Sequence, residues 1–332
     1  MKILPPEWQK QRVVLMAFPH KNSDWANDLN SALVPFIRTA QAIAYKTPVY
    51  IICDDREAIS ALFCSPRNLT FIEIETNDTW IRDFGYISIV EDGEVKLLDF
   101  RFDAWGGKFD AGLDNGVNKV LHKKGYMGVT PLESIDFVLE GGSIESDGKG
   151  TILTTTACLC NPNRNGGLRK DEVEEKLEEY FGAKRVLWLD HGYLAGDDTD
   201  SHIDTLARFV SLDTIMYVQC LNEEDEHYVE LQKMERQLKQ FRDSDNKAYT
   251  LLPLPLPSPK YDKLNKRLPA TYVNFLITNG ALVYPVYSVV EDKIAYEVFK
   301  DFFRDKEIIP IECSRLIEEG GSLHCSTMQI PF

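Results

Sequence analysis

Short runs of β-branched and aromatic residues recur along the chain, each bounded by charged or turn-forming positions. VVLMAF (13–18), VYIIC (49–53), FIEIE (71–75), ISIV (87–90), VKLLDF (95–100), TILTTT (151–156) and RVLWL (185–189) read as buried or half-buried strands. TIMYVQC (214–220), TYVNFLIT (271–278), ALVYPVY (281–287), EIIPIEC (307–313) and LHCSTM (323–328) continue the series. Between them, 170–180, 223–241 and 294–303 place apolar residues every three to four positions on a charged background, the pattern of amphipathic helices. The chain is therefore expected to mix α and β, with strands dominant. The Pro-rich segment LLPLPLPSP (251–259) is the candidate joint, and its composition suits an extended surface connection as well as a domain boundary.

Length allows two domains or one larger architecture, since 332 residues exceed the roughly 150 of a typical domain. With 44% hydrophobic and 27% charged residues, the composition is that of a folded chain and excludes disorder as the main reading. The net charge of −15 repels a phosphate backbone and attracts a small cation, so nucleic acid is not an expected partner. The same charge also serves plain solubility. No apolar run reaches the ~18 residues of a membrane span. The start lacks the uninterrupted apolar stretch of an export signal. Seven Cys, an odd and sparse set, point to reduced thiols and the cytoplasm.

Several residues could carry chemistry. Cys325 lies in GGSLHCSTMQ, a strand-like run entered through a Gly pair; a lone Cys is ordinarily a small buried hydrophobe, and a reactive one needs partners from elsewhere in the chain. His202 and Asp204 form His-x-Asp, which in an extended segment shares one face. That segment also reads as a solvated Asp-rich loop, or as oxygen and nitrogen ligands from Asp197, Asp198, Asp200, His202 and Asp204, although without zinc or EF-hand spacing. Cys158-x-Cys160 is likewise a poor zinc motif.

NDTWIRDFG sets Trp80 beside Asp78 and Asp83, an arrangement suited to a guanidinium or ammonium, or to an Arg82 salt bridge beside a core Trp. Trp105-Gly106-Gly107-Lys108 is a second aromatic-Gly cluster and lacks the spacing of a phosphate loop. Finally, Glu140-Gly141-Gly142-Ser143 recurs as Glu319-Gly320-Gly321-Ser322, which suggests two equivalent strand starts needing positive φ or close backbone approach.

Taken in order, LPPEWQKQRVVLMAFPH, NDTWIRDFG, FDAWGGKFD, LEGGSIESDGKGTILTTTACLCNPNRN, WLDHGYLAGDDTDSHIDTLARF, PATYVNFLITNGALVYP and GGSLHCSTMQIPF resemble the agmatine deiminase family. These are guanidine-modifying enzymes whose relatives include bacterial peptidylarginine deiminases. The resemblance implies one catalytic domain over 1–332, a five-bladed pseudo-symmetric α/β propeller of ββαβ-type modules (the pentein fold) around a central site.

By motif position, Cys325 takes the nucleophile's place, His202 the general acid/base's and Glu140 that of a carboxylate orienting the His. Asp83 and Asp204 take the guanidinium-binding places, and Trp80 lines the pocket. Asp78, Trp105 and Lys108 are further candidates, whereas Asn163, Arg164 and Asn274 have no assigned role. The implied reaction is hydrolysis of agmatine to N-carbamoylputrescine and ammonia through an amidino-cysteine intermediate, in polyamine biosynthesis, with no metal or cofactor and with a homodimer as the implied assembly. Deimination of arginine or peptidylarginine, and polyamine binding without turnover, are the alternatives. The chain departs from the family pattern at Phe18-Pro19, Phe84-Gly85-Tyr86 and Ser201, which bears on the far end of the pocket.

Overall fold

One local plan repeats through the computed structural model, which describes residues 2–332: an antiparallel hairpin, then a helix, then a third strand parallel to the second. Ile87–Glu91, Glu94–Arg101 and Leu132–Val138 form the first such sheet, with helix Val117–Lys123 in the crossover and Lys2–Ile3 added at the edge. Ile144–Ser146, Thr151–Thr155 and Arg185–Leu189 repeat it around helix Lys170–Phe181. Ala207–Phe209, Thr214–Gln219 and Thr250–Pro255 do so around Tyr228–Gln240. Leu276–Ile277, Ala281–Val286 and Glu307–Glu312 do so around Glu291–Phe302. In the fifth sheet the last strand, Met328–Pro331, pairs antiparallel with Gln11–Ala17, and Val49–Cys53 and Leu69–Glu73 follow in parallel across helices Leu29–Ala44 and Arg56–Ala61. A parallel return needs a long crossover, which is why each module carries a helix.

The helices are built as their patterns require. Lys170–Phe181 buries Val173, Leu177 and Phe181 at i, i+4 and i+8, and stops at Gly182, whose φ of 66° is the left-handed cap that a Cβ disfavours. Leu29–Ala44 buries Ala32, Leu33, Phe36, Ala40 and Ile43 at the same period, although the sequence reading did not single it out. None of the helices among the described residues is long and apolar enough to cross a membrane.

Three local expectations are corrected. The Pro-rich segment is no joint: Thr250–Pro255 is an edge strand paired with Thr214–Gln219, where Pro253 and Pro255 cost no second ladder. In 271–278 only Leu276–Ile277 is strand, and 323–326 is turn, so Cys325 precedes the strand that begins at Met328. His202 and Asp204 lie not on an extended run but at a 3-10 turn over Ile203–Thr205, closed by Thr205 N–H and Oγ–H donating to His202 O.

The repeated plan also places the candidate residues. Asp83 stands just before the opening strand of the first module, Glu140 to Gly142 before that of the second, His202 and Asp204 before the third, Asn274 before the fourth and Cys325 before the fifth. The repeated Glu-Gly-Gly-Ser segments precede the second and fifth opening strands, so the echo marks equivalent points of two modules. Positive φ occurs only at Gly320 of the two Gly pairs; close approach governs the other three, where a Cβ would meet Arg82 O at 2.2 Å (Gly141), His202 Nδ1 at 2.7 Å (Gly142) or the Trp80 ring at 2.4 Å (Gly321).

Candidate active site

Cys325 sits in a turn clamped by Asn274, whose Oδ1 accepts from His324 N at 2.8 Å and Cys325 N at 3.3 Å while its Nδ2 donates to Cys325 Sγ at 3.3 Å. Asp204 Oδ2 lies 3.8 Å from the same sulfur. Asp83 Oδ1 accepts from Gly142 N at 2.9 Å, and its Oδ2 accepts from Trp105 Nε1 at 3.0 Å. His202 Nδ1 is 3.6 Å from Asp83 Oδ1, and neither ring nitrogen has a hydrogen-bond partner. Gly142 is the hub: a Cβ there would come within 3.2 Å of His202, Asp83 and Asp204 together.

Backbone strain aims two of these groups. Ala104 and Trp105 have φ of 54° and 57°, a left-handed pair with no Gly among them, held by Asp103 Oδ1 accepting from Gly106 N at 2.8 Å; this turn carries the indole to Asp83. Asp200 and Ser201, at φ 66° and 68°, precede His202 in the same way.

Behind His202, Glu140 is fully buried and its Oε1 accepts from Arg164 Nε at 2.9 Å, while Oε2 has no partner. Arg164 also pairs with Asp200 and with Asn163 Oδ1, from a turn in which Asn161 Oδ1 accepts from Asn163 N at 3.1 Å. Lys108 reaches Asp200 Oδ2 at 3.0 Å and the Asp198 carbonyl, outside the cavity that holds Cys325. The Asp-rich stretch disperses: Asp197 binds Thr199 and Ser201, Asp200 binds Arg164, and Asp204 binds His324. Ligand-type atoms of Glu140, Cys158 and His202 do gather within 4.8 Å, but Arg164 already compensates the carboxylate there.

The electrostatics follow from burial. Burial first, then the charges of Asp204 and Asp83, pushes the Cys325 thiol well above its ordinary range. Burial also carries His202 down to about 3, so its resting form is neutral imidazole. The two aspartates diverge: burial and the Asp204 charge raise Asp83 well above the usual carboxylate range, whereas the His324 contact overcomes burial and holds Asp204 below it. A neutral thiol thus faces one protonatable and one ionised carboxylate.

The open side is a cavity of about 30 Å³ lined by Trp80, Asp83, Trp105, Phe109 and Cys325, with Asp24, Asp78, Asp198 and Glu319 among its walls. No Lys or Arg is among the described lining residues. Of the residues placed by motif position, Asp78, Trp80, Asp83, Trp105 and Cys325 line this cavity, whereas His202, Asp204, Glu140 and Lys108 are not among its lining residues, although the Lys108 charge reaches His202. Sequence reasoning missed Glu7, His324 and Arg208; His324 adjoins the candidate nucleophile, but nothing local in the chain ties it to Glu7, 317 residues away.

The model of the Porphyromonas-type peptidyl-arginine deiminase family matches residues 3–331. The chain belongs to this family. Among related proteins, the agmatine deiminase of Pseudomonas aeruginosa (strain LESB58) is 30% identical over 99% of this chain and 95% of its own. A solved Cys-to-Ser variant of the C. jejuni agmatine deiminase with substrate bound is 41% identical and superposes with a TM-score of 0.94 over 99% of this chain and 96% of its own. A dimethylarginine dimethylaminohydrolase, 11% identical over 96% of this chain and 100% of its own, with a TM-score of 0.53, shares the fold alone. The chain has a mixed α/β fold, which it shares with these solved structures.

Proposed function

We propose that this chain is an agmatine deiminase, a hydrolase that converts the guanidinium of agmatine to a ureido group with release of ammonia. The observation that carries the substrate choice is the charge of the cavity, whose described lining residues include carboxylates and aromatic rings and no Lys or Arg to receive an α-carboxylate. Agmatine offers a cation at each end: the guanidinium suits Asp83 and Asp204, and the terminal ammonium suits the acidic mouth of Asp24, Asp78, Asp198 and Glu319. Trp80 and Trp105 supply flat apolar walls that favour a cation and exclude water.

In the proposed reaction the Cys325 thiolate attacks the guanidinium carbon, forming a C–S bond. His202, having taken the thiol proton, gives it to the departing nitrogen; the C–N bond breaks and ammonia leaves an amidino-thioether. His202 then removes a proton from water as the oxygen attacks the same carbon; the C–S bond breaks and the thiolate returns with N-carbamoylputrescine released. Glu140 stands beside His202 to orient it. Asp83 and Asp204 fix the plane and charge of a group that is otherwise a poor electrophile.

The whole chain, 1–332, serves as a single catalytic domain, its five modules arranged as propeller blades around Cys325. Pairing of the last strand with Gln11–Ala17 supports that closure. All seven cysteines are free thiols, which supports a reducing compartment such as the cytoplasm.

The test is ammonia release from agmatine, arginine and a blocked arginyl peptide, by the intact chain and by Cys325→Ala, with chelator present. Release from agmatine alone, lost in the variant, is the expected result. Release from the peptide would move the chain to protein deimination, and binding without release would make it a polyamine-binding protein.

A further inference from the structure

Asp204 uses one oxygen and leaves the other free. Its Oδ2 stands 2.7 Å from His324 Nδ1, whereas Oδ1 is buried without a hydrogen-bond partner. The second ring nitrogen of His324, Nε2, stands 2.7 Å from Glu7 Oε2. A ring with a carboxylate at each nitrogen is held from both sides.

The side chains of this link are buried. Glu7 Oε2 also faces Arg208 Nη2 at 2.8 Å and Arg82 Nη2 at 3.6 Å, and Arg208 Nε in turn faces Glu145 Oε1 at 2.5 Å. Against burial, Arg208 and His324 hold the Glu7 carboxyl well below its usual range, so it is a fixed anion. Glu7 and His324 do not line the cavity that holds Cys325. They line a rear cavity of about 60 Å³, on the other side of the turn in which His324 and Cys325 are neighbours. One residue of that turn therefore faces the proposed chemistry and the next faces the support behind it.

We propose that Glu7 and His324 are positioning residues for guanidinium capture: together they lock Asp204 by Oδ2, the oxygen 3.8 Å from Cys325 Sγ, so that the carboxylate is held in place beside the nucleophile for the bound cation. The proposal deepens the agmatine deiminase assignment and rests on it. A carboxylate held at one oxygen cannot turn about its last torsion, so Asp204 meets the guanidinium without being reordered first. The segment around Glu7, ahead of the first long strand, thereby becomes part of the substrate-binding apparatus although it touches no substrate.

The variants distinguish positioning from packing. In a Cys325→Ser background, agmatine binding is measured by calorimetry for the parent, His324→Asn, His324→Gln and Glu7→Gln, with thermal melts on each. The Asn amide N–H stands near the place of Nδ1–H and keeps the Asp204 contact; the Gln amide stands near Nε2 and loses it.

The expected result is affinity weakened about tenfold to a hundredfold in His324→Gln, largely kept in His324→Asn, and weakened about threefold to tenfold in Glu7→Gln. Equal affinities in the Asn and Gln variants overturn the proposal. If His324→Gln does not fold, an unchanged affinity in Glu7→Gln overturns it. Ammonia release by the wild-type chain reads the parent assignment separately. Agmatine bound but never deiminated defeats that assignment while the affinity series still decides this one, and no agmatine binding in the parent defeats both.

Discussion

Trp105 donates its indole N–H to Asp83 Oδ2 at 3.0 Å from a backbone turn held at positive φ. The ring is therefore more than a wall of the cavity: it engages one oxygen of a carboxylate whose other oxygen is held by Gly142 N–H. Trp105→Phe keeps an aromatic ring against Phe102, whose centroid is 5.3 Å away, and deletes only the donor. The expected outcome in steady-state kinetics is a rise in KM for agmatine of about tenfold, with a smaller fall in kcat.

Gly142 has an ordinary φ, so adding a side chain strains no backbone; the cost is in space. Gly142→Ala would put a methyl 2.7 Å from His202 Nδ1 and 2.8 Å from Asp83 Oδ1. Displacing either group by a fraction of an ångström is expected to lower kcat/KM by about a hundredfold. The melting curve should move little by comparison, and a variant with full activity would remove Gly142 from the centre of the site.

The pH profiles should split. In the free protein the Cys325 thiol is raised by burial and by Asp204 and Asp83, so kcat/KM should keep climbing as pH rises toward that elevated value. A bound cation between the two aspartates offsets their charge and lowers the thiol, so the acid limb of kcat should lie at lower pH than that of kcat/KM. Ultraviolet thiolate absorbance should likewise increase at fixed pH on adding a saturating, unreactive guanidinium ligand. Coincident limbs and an unchanged absorbance would contradict activation by substrate.

Arg164 is 1% exposed and answers Glu140, which is 0% exposed. Removing one partner leaves a buried charge uncompensated, and Arg164→Met is expected to destabilise the fold by about 3–5 kcal/mol in denaturant titrations. Adding Glu140→Gln should restore part of that stability without restoring turnover, because His202 then lacks its neighbouring carboxylate. A double variant no more stable than Arg164→Met would argue against this pairing.

Period-two patterning located most of the strands, and period-3.6 patterning located three of the longer helices. RVLWL is the strand Arg185–Leu189 to the residue, and the helix expected over 170–180 runs to Phe181, because a half-buried face writes itself locally into the order of apolar residues. The same logic overextended the strand at 271–278 and missed the turn at Cys325, where apolar residues are buried by surrounding elements rather than by a ladder. Ordered motifs named Cys325, His202, Asp204, Asp83 and Glu140, while composition alone left each with an ordinary alternative.

What the sequence by itself determined is the alternation of strands and helices, the acidic character of the chain and the residue types a guanidinium would need. What only the tertiary structure decided is their convergence. Five segments spread from Asp83 to Cys325 meet because each stands before the opening strand of a repeated module, and that equivalence is a property of topology, not of neighbouring residues. The same reason hid Glu7 and His324. Their 2.7 Å contact spans 317 positions, and burial and charge pairing of this kind exist only once the chain has brought the two ends of its sequence together.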